Sequence, residues 1–219
     1  MTAFSKRPLS ACGMLVTLAP VFGVLAGVVA TADTVPYVRD IFRGVTRPHR
    51  GTWLVWSVLG IVVLASQRAD GASWSLVMAG TQAVLTTFVF ALAIRRGEGG
   101  LSATDGILIA IAAGGMAAWV LVDEPLVATA CVIAADLIAA AMMVPKVHRD
   151  PGSETLVTFA LAGAGGALAG GAVGAVDASL LCYPVYYCLV NWALALLIHQ
   201  RRVALGLSPA LMGRRAVGA

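Results

Sequence analysis

Charge is scarce in this sequence. Asp, Glu, Lys and Arg make up 12% of its 219 residues, about half the share usual in soluble domains. Hydrophobic residues make up 59%, and the mean hydropathy is +0.88. This balance excludes a disordered chain and an ordinary globular enzyme alike. Patterns for metals, redox and covalent catalysis are missing too. Cys12, Cys131, Cys182 and Cys188 have no CxxC spacing, and three of them fall inside apolar runs, where cysteine packs as a small apolar residue. There is no DxxxD pair, HxxxH, HExxH or GxSxG. His49, His148 and His199 lie in or beside loops without metal-ligand spacing and are expected to be solvated. Lysine occurs only as Lys6 and Lys146, outside the apolar runs, which excludes a retinal-type Schiff base. No metal and no cofactor is expected. The net charge of +4 comes from 15 basic residues in short groups between apolar runs, a pattern that reports membrane topology and not a nucleic-acid surface.

What the chain does have is apolar runs near 14–35, 53–67, 73–94, 105–122, 126–145, 155–174 and 178–199. A spanning helix needs roughly 20 apolar residues, so the expected fold is all-α: a polytopic membrane protein with seven transmembrane helices. The sixth run is rich in Gly and Ala, and Gly166, Gly170 and Gly174 at four-residue spacing should let a neighbouring backbone approach closely. Such helices pack within one chain or between chains, so the oligomeric state stays open. Seven helices put the termini on opposite sides. Lys6, Arg7 and Arg68 share the N-terminal side, against twelve basic residues from Arg39 to Arg215 on the other. The N-terminus is therefore expected outside and the C-terminus in the cytoplasm of a bacterial-type plasma membrane. Asp70, Asp123, Glu124 and Asp177 fall in the outer loops. A competing reading takes Lys6-Arg7, the first run and Ala30-Thr31-Ala32 as a cleaved secretory signal. Cleavage leaves six helices and a less consistent charge map.

Two junctions repeat a pattern. Val35-Pro36-Tyr37-Val38-Arg39-Asp40 matches Val144-Pro145-Lys146-Val147-His148-Arg149-Asp150, and Pro48 and Pro151 are each followed four residues later by Thr52 and Thr155. The prolines are 109 residues apart, room for three helices plus one, so a parallel duplication is expected in a 3+1+3 order. Its parts are a first triple-helix bundle over 1–100, a linker helix over 101–124, a second bundle over 125–202 and a tail over 203–219 that can lie on anionic membrane lipid. This arrangement, with proline motifs at the ends of the first and fifth helices, resembles the PQ-loop superfamily, which includes the SWEET sugar transporters and lysosomal amino-acid exporters. Tyr37 and Lys146 stand where the signature glutamine would be. The resemblance implies passage of small polar solutes by rocking one bundle against the other, with Pro36 and Pro145 as hinges. It also implies a seventh-helix asparagine in the solute site, a place that Asn191 occupies here. The pair Trp53-x-x-Trp56 is similar to one in the nicotinamide riboside uptake family, which has the same plan.

Polar residues at membrane depth are costly and are the default site candidates. Asp136 sits near the middle of the fifth run with no basic residue in any run to neutralise it, and is the candidate proton-coupling group. Tyr183, Tyr187 and Asn191 recur every four residues and so share a helix face. Gln82 and Thr86 can present an opposite wall, and Trp56 lies one turn deeper than Trp53, which reads as an interface anchor. Hydroxyls, amides and rings together suit an uncharged polar solute. Asp33, three residues before Pro36, is expected to pair with Arg39 or Arg43 as a gate. The function these residues point to is a transporter and not an enzyme: it is expected to move a small polar solute, sugar-like, amino-acid-like or nucleoside-like, by alternating access of the two triple-helix bundles, with Asp136 as the candidate link to protons. The alternative is a membrane-embedded enzyme or binding protein for a lipid or isoprenoid pyrophosphate, for which Asp33 and Asp40 beside arginines are the sole arrangement able to hold a metal pyrophosphate. A receptor or assembly protein would need larger loops.

Overall fold

The computed structural model describes residues 11–69, 74–100, 102–121, 125–176 and 178–207. Lys6, Arg7, Asp70, Asp123, Glu124, Asp177, Arg214 and Arg215, together with the side chain of Cys12, lie outside the described residues. Among the described residues the chain is all-helical: α1 Ala11–Phe42, α2 Arg50–Ala69, α3 Ser75–Arg96, α4 Ala103–Leu121, α5 Pro125–Arg149, α6 Leu156–Ala172 and α7 Ala178–Ala204, with a short 3-10 turn at Pro151–Ser153. Thr17–Phe42, Leu76–Arg96, Ala130–Arg149 and Leu180–Ala204 are long and apolar enough to cross a membrane, while Arg50–Ala65 and Leu156–Ala172 are shorter apolar helices. Large apolar side chains such as Val21, Val28, Val84, Val157 and Leu189 stand exposed on the outside. A surface of that kind associates with lipid or a partner, while alanines, buried threonines and large residues such as Ile41, Met143, Phe159 and Ile198 fill the interior.

The helix ends differ from those expected. At α1 and α5 the prolines do not stop the helix: Pro36 and Pro145 both lie inside continuous helices. Proline removes one backbone donor, but the next turns still close, which membrane helices tolerate when neighbours satisfy the freed groups. Instead α1 ends at Gly44, whose φ of 71° only glycine adopts without strain, as the N–H groups of Val45 and Thr46 close on the Asp40 carbonyl at 3.0 and 3.1 Å. A reciprocal cap opens α4: Ser102 Oγ accepts from the Asp105 N–H at 3.1 Å, and Asp105 Oδ2 accepts from the Ser102 N–H at 3.3 Å.

Packing follows a regular scheme. α3 touches both α1 and α2, and α7 touches both α5 and α6; the two groups meet where α1 packs on α6 and α2 on α5, while α4 lies against α5. One interhelical hydrogen bond is made twice. Thr52 Oγ1 of α2 donates to the Ala139 carbonyl of α5 at 2.9 Å, and Thr158 Oγ1 of α6 donates to the Asp33 carbonyl of α1 at 2.7 Å. Thr158 follows Thr52 by 106 residues, and Ala139 follows Asp33 by the same number.

The glycine stripe of α6 is realised in part. A Cβ on Gly166 would meet the Cys188 backbone nitrogen at 2.8 Å, so α6 and α7 touch backbone to backbone there. Gly170 has only an ordinary contact with Pro184, and Gly174 lies beyond the helix end with φ 71°. The fourfold spacing outruns the helix that was to carry it.

Candidate functional site

Between the helices lies a cavity with about 60 Å3 of room for the centres of water-sized molecules, open in part to the exterior. Its described lining comes from α1, α2, α3, α5, α6 and α7. Asn191, Tyr187, Tyr183, Gln82, Thr86, Trp56, Asp136 and Asp33 all lie on its wall, whereas Pro36 and Pro145 do not line it. A second space shares Gly60, Gln82, Tyr183 and Tyr187 with the first and continues past Met78, Ala169 and Pro184, toward the ends that carry Ala69, Ser75 and Ala172.

The α7 stripe forms as its spacing requires. The Tyr183 and Tyr187 rings stand 6.0 Å apart at 34°, and the Asn191 amide donates to the Tyr187 carbonyl at 2.9 Å. Gln82 Nε2 donates to the Tyr187 hydroxyl across the cavity, joining α3 to α7. Asp136 is 6% exposed, and its carboxylate accepts a hydrogen bond from Tyr186 at 2.6 Å. Tyr186 was missed in the sequence because it falls off the four-residue stripe; the need of a buried acid for a donor was the available signal. The Trp56 indole N–H is buried without a hydrogen-bond partner and is turned toward Asp136.

Asp33 departs from expectation. It is 3% exposed and pairs with neither Arg39 nor Arg43; Arg39 Nε instead lies 3.5 Å from Asp40. Because α1 continues to Phe42, Arg39 and Arg43 are carried roughly 9 and 15 Å along the axis from Asp33. Asp33 Oδ1 accepts from Thr34 Oγ1 at 2.8 Å, and Oδ2 is buried with no partner. Asp33 and Asp40 do not converge either, since Asp33 faces the cavity and Asp40 accepts from Thr155 at 3.1 Å near the helix end. Among the described residues no three His, Cys, Asp or Glu side chains cluster as a metal site would require.

Beyond the cavity, the end bearing Phe42, Arg50, Arg96 and Arg149 is sealed. Trp53 is no interface anchor: it is 6% exposed, and its indole donates to the Tyr37 hydroxyl at 3.0 Å. The loop ahead of α2 folds over this first turn and buries Thr46 and His49. Tyr37 in turn donates to Glu154 Oε2 at 2.9 Å, and Lys146 Nζ binds Glu154 Oε1 and the Arg47 carbonyl. Tyr37 and Lys146, which directly follow Pro36 and Pro145, thus meet at one glutamate. Lys146, expected at the membrane boundary, is 3% exposed. Burial pushes the Glu154 carboxyl above its ordinary value, and the Lys146 ammonium holds it back. Thr46 and Thr155 hydroxyls meet at 2.7 Å, and Arg202 of α7 donates to the Glu154 carbonyl.

His49 corrects a second expectation. It is buried, not solvated; its Nδ1 accepts from the Thr52 N–H at 3.2 Å, and its Nε2 lies 3.8 Å from Asp105 of α4. Burial lowers its pKa below the ordinary 6.5, against the opposing pull of Asp105. His148 and His199 are exposed as expected. No family model, curated protein or solved structure matches the chain.

Proposed function

We propose that the protein is a PQ-loop-like membrane transporter that moves a small polar solute by alternating access between two triple-helix bundles. The observation that carries this reading is the polar cavity, whose described wall draws on six helices and holds two acids, two amides and several rings. A site at the meeting of two helix groups is where a rocking transporter binds its solute. The 3+1+3 order is supported by the packing scheme, in which α1–α3 and α5–α7 form equivalent triplets. The threonine hydrogen bond made once from α2 to α5 and once from α6 to α1 supports a reciprocal relation between the halves, at an offset of 106 residues that lies between the 109 of the proline pair and the 103 of the Thr52–Thr155 pair.

In this reading the arginine-bearing end is the cytoplasmic gate, closed through Tyr37, Trp53, Lys146 and Glu154, and the solute enters from the opposite, outer side. Pro36 and Pro145 weaken α1 and α5 close to that gate and serve as its hinges. Asp136 links opening to protonation, because a buried acid held by one tyrosine can exchange a proton when the cavity is wet. The protein resides in a bacterial-type plasma membrane with its N-terminus outside. It has no need of catalysis or of a bound cofactor.

The test is ligand-dependent thermal stabilisation of purified wild type and Asn191→Ala at about pH 5.5 and about pH 7.5, with sugars, amino acids, nucleosides and amines. Ligand at about a hundredfold its Kd contributes about 2.7 kcal/mol, a shift easily read. Stabilisation lost in Asn191→Ala, with uptake of the same solute into proteoliposomes, supports the proposal. If a pyrophosphate lipid stabilises the protein independently of Asn191 and nothing is taken up, the transporter reading falls.

A further inference from the structure

Two acids, one from each helix group, line the cavity, and among its described lining residues there is no Lys, Arg or His. A carboxylate removed from water needs a hydrogen bond, a proton or a cation, and the two acids are served unequally. Asp136 has the Tyr186 hydroxyl. Asp33 has Thr34 on one oxygen and nothing on the other, although the residue is 97% buried and on the cavity wall. Both carboxylates and Tyr187 line the same cavity, so the two belong to one site. Around them the wall is aromatic: Trp53 and Trp56 pack edge to face at 5.2 Å, Phe159 is 6.3 Å from Trp56, and Tyr183 and Tyr187 face inward from α7. Ring faces carry partial negative charge and attract ammonium groups.

Resting on the transporter reading, we infer that the solute is a small organic cation, an ammonium group on an apolar body, whose charge sits against Asp33 and whose body lies among the rings. A neutral sugar leaves the free Asp33 oxygen without a counter-charge. An anion meets two carboxylates. One cation neutralises one acid, which leaves Asp136 for the proton.

The experiment compares cations with their uncharged carbon isosteres on the full chain. Choline is set against 3,3-dimethylbutan-1-ol and trimethylphenylammonium against tert-butylbenzene, first by thermal stabilisation and then by uptake into proteoliposomes. The expected result is stabilisation by the two ammonium compounds alone, weakened in Asp33→Asn by about tenfold or more in affinity, as removal of one partner of a buried charge contact implies. The isostere comparison in wild type stands even if Asp33→Asn fails to fold. Equal stabilisation by charged and uncharged isosteres, or binding unchanged in a folded Asp33→Asn, overturns the inference. If sugars or nucleosides bind and are taken up while ammonium compounds do neither, the inference fails and the transporter reading survives. If ammonium compounds bind but do not cross, the cation site stands and the transporter reading fails.

Discussion

The middle of the bundle and its arginine-bearing end are built from the same kinds of residue to opposite effect. Both hold at least one buried acid, one tyrosine and one tryptophan. At the end, Glu154 receives Tyr37 and Lys146 on its two oxygens, Trp53 is hydrogen-bonded in turn, and Arg202 covers the carbonyl. In the cavity, Asp33 Oδ2 is left without a partner and Trp56 Nε1, though turned toward Asp136, makes no hydrogen bond of good geometry. At the arginine-bearing end the one such atom among the described residues, Arg201 Nε, lies outside the Glu154 cluster. A polar cluster that is fully satisfied rigidifies the fold, whereas one left incomplete at depth is kept at a cost to stability. On the transporter reading proposed above, the incomplete cluster is the place where a solute supplies what the chain does not.

The largest break in this comparison is expected from Glu154→Ala. It takes from the Lys146 ammonium, in a site that is 3% exposed, the nearer of its two carboxylates and leaves Glu98 Oε1 at 3.8 Å; breaking a buried pair typically costs about 3–5 kcal/mol. Glu154→Gln, which keeps an acceptor, should cost less. The matching change in the cavity, Asp33→Asn, removes a charge that has no cationic partner there and should alter stability by less than about 1 kcal/mol. Apparent melting of the four proteins in one detergent decides the matter. Equal losses at Glu154 and Asp33 would mean that the end is no tighter than the middle.

A smaller effect is expected where α6 meets α7. In Gly166→Ala the new Cβ lies 2.8 Å from a backbone nitrogen that belongs to a helix and cannot swing aside, so a loss of about 1–3 kcal/mol follows from overpacking. Gly170→Ala, where the nearest atom is 3.9 Å away, should be near neutral or favourable to the helix. Melting of the pair separates contact from composition, since both replace a glycine of the same helix.

The cavity wall was legible in the sequence because polar residues inside apolar runs are conspicuous. Asp136, Asn191, Tyr183, Tyr187, Gln82, Thr86 and Trp56 stood out one by one, and helices that face a common centre bring them to one wall. The sealed end was not legible. Lys146 and His49 lie at helix ends, where charge ordinarily meets water, and only the chain segments folded over them bury these groups. Glu154 sits in a loop and carries no sign of its 117-residue reach to Tyr37. Asp33 was misplaced for a local reason: Pro36 read as the end of α1, which put nearby arginines within apparent reach, whereas the continuing helix carries them away.

The mildest effect concerns acid. His49 has its pKa lowered by burial, so between that value and 6.5 the unfolded chain binds more protons than the folded one. Stability therefore rises with pH across that window and falls as the protein is acidified through it. Glu154, whose carboxyl is raised above 4.5 by burial, acts in the reverse sense: just above 4.5 the folded state holds the extra proton, and stability falls as pH rises. In His49→Gln the glutamine oxygen can still accept from the Thr52 N–H while the titration is gone. The melting point of that variant should lose less than the wild type between about pH 7.5 and about pH 5.5. Parallel profiles would mean that the imidazole charges in place against Asp105, 3.8 Å away, and that the sealed end tolerates a proton as readily as the cavity does.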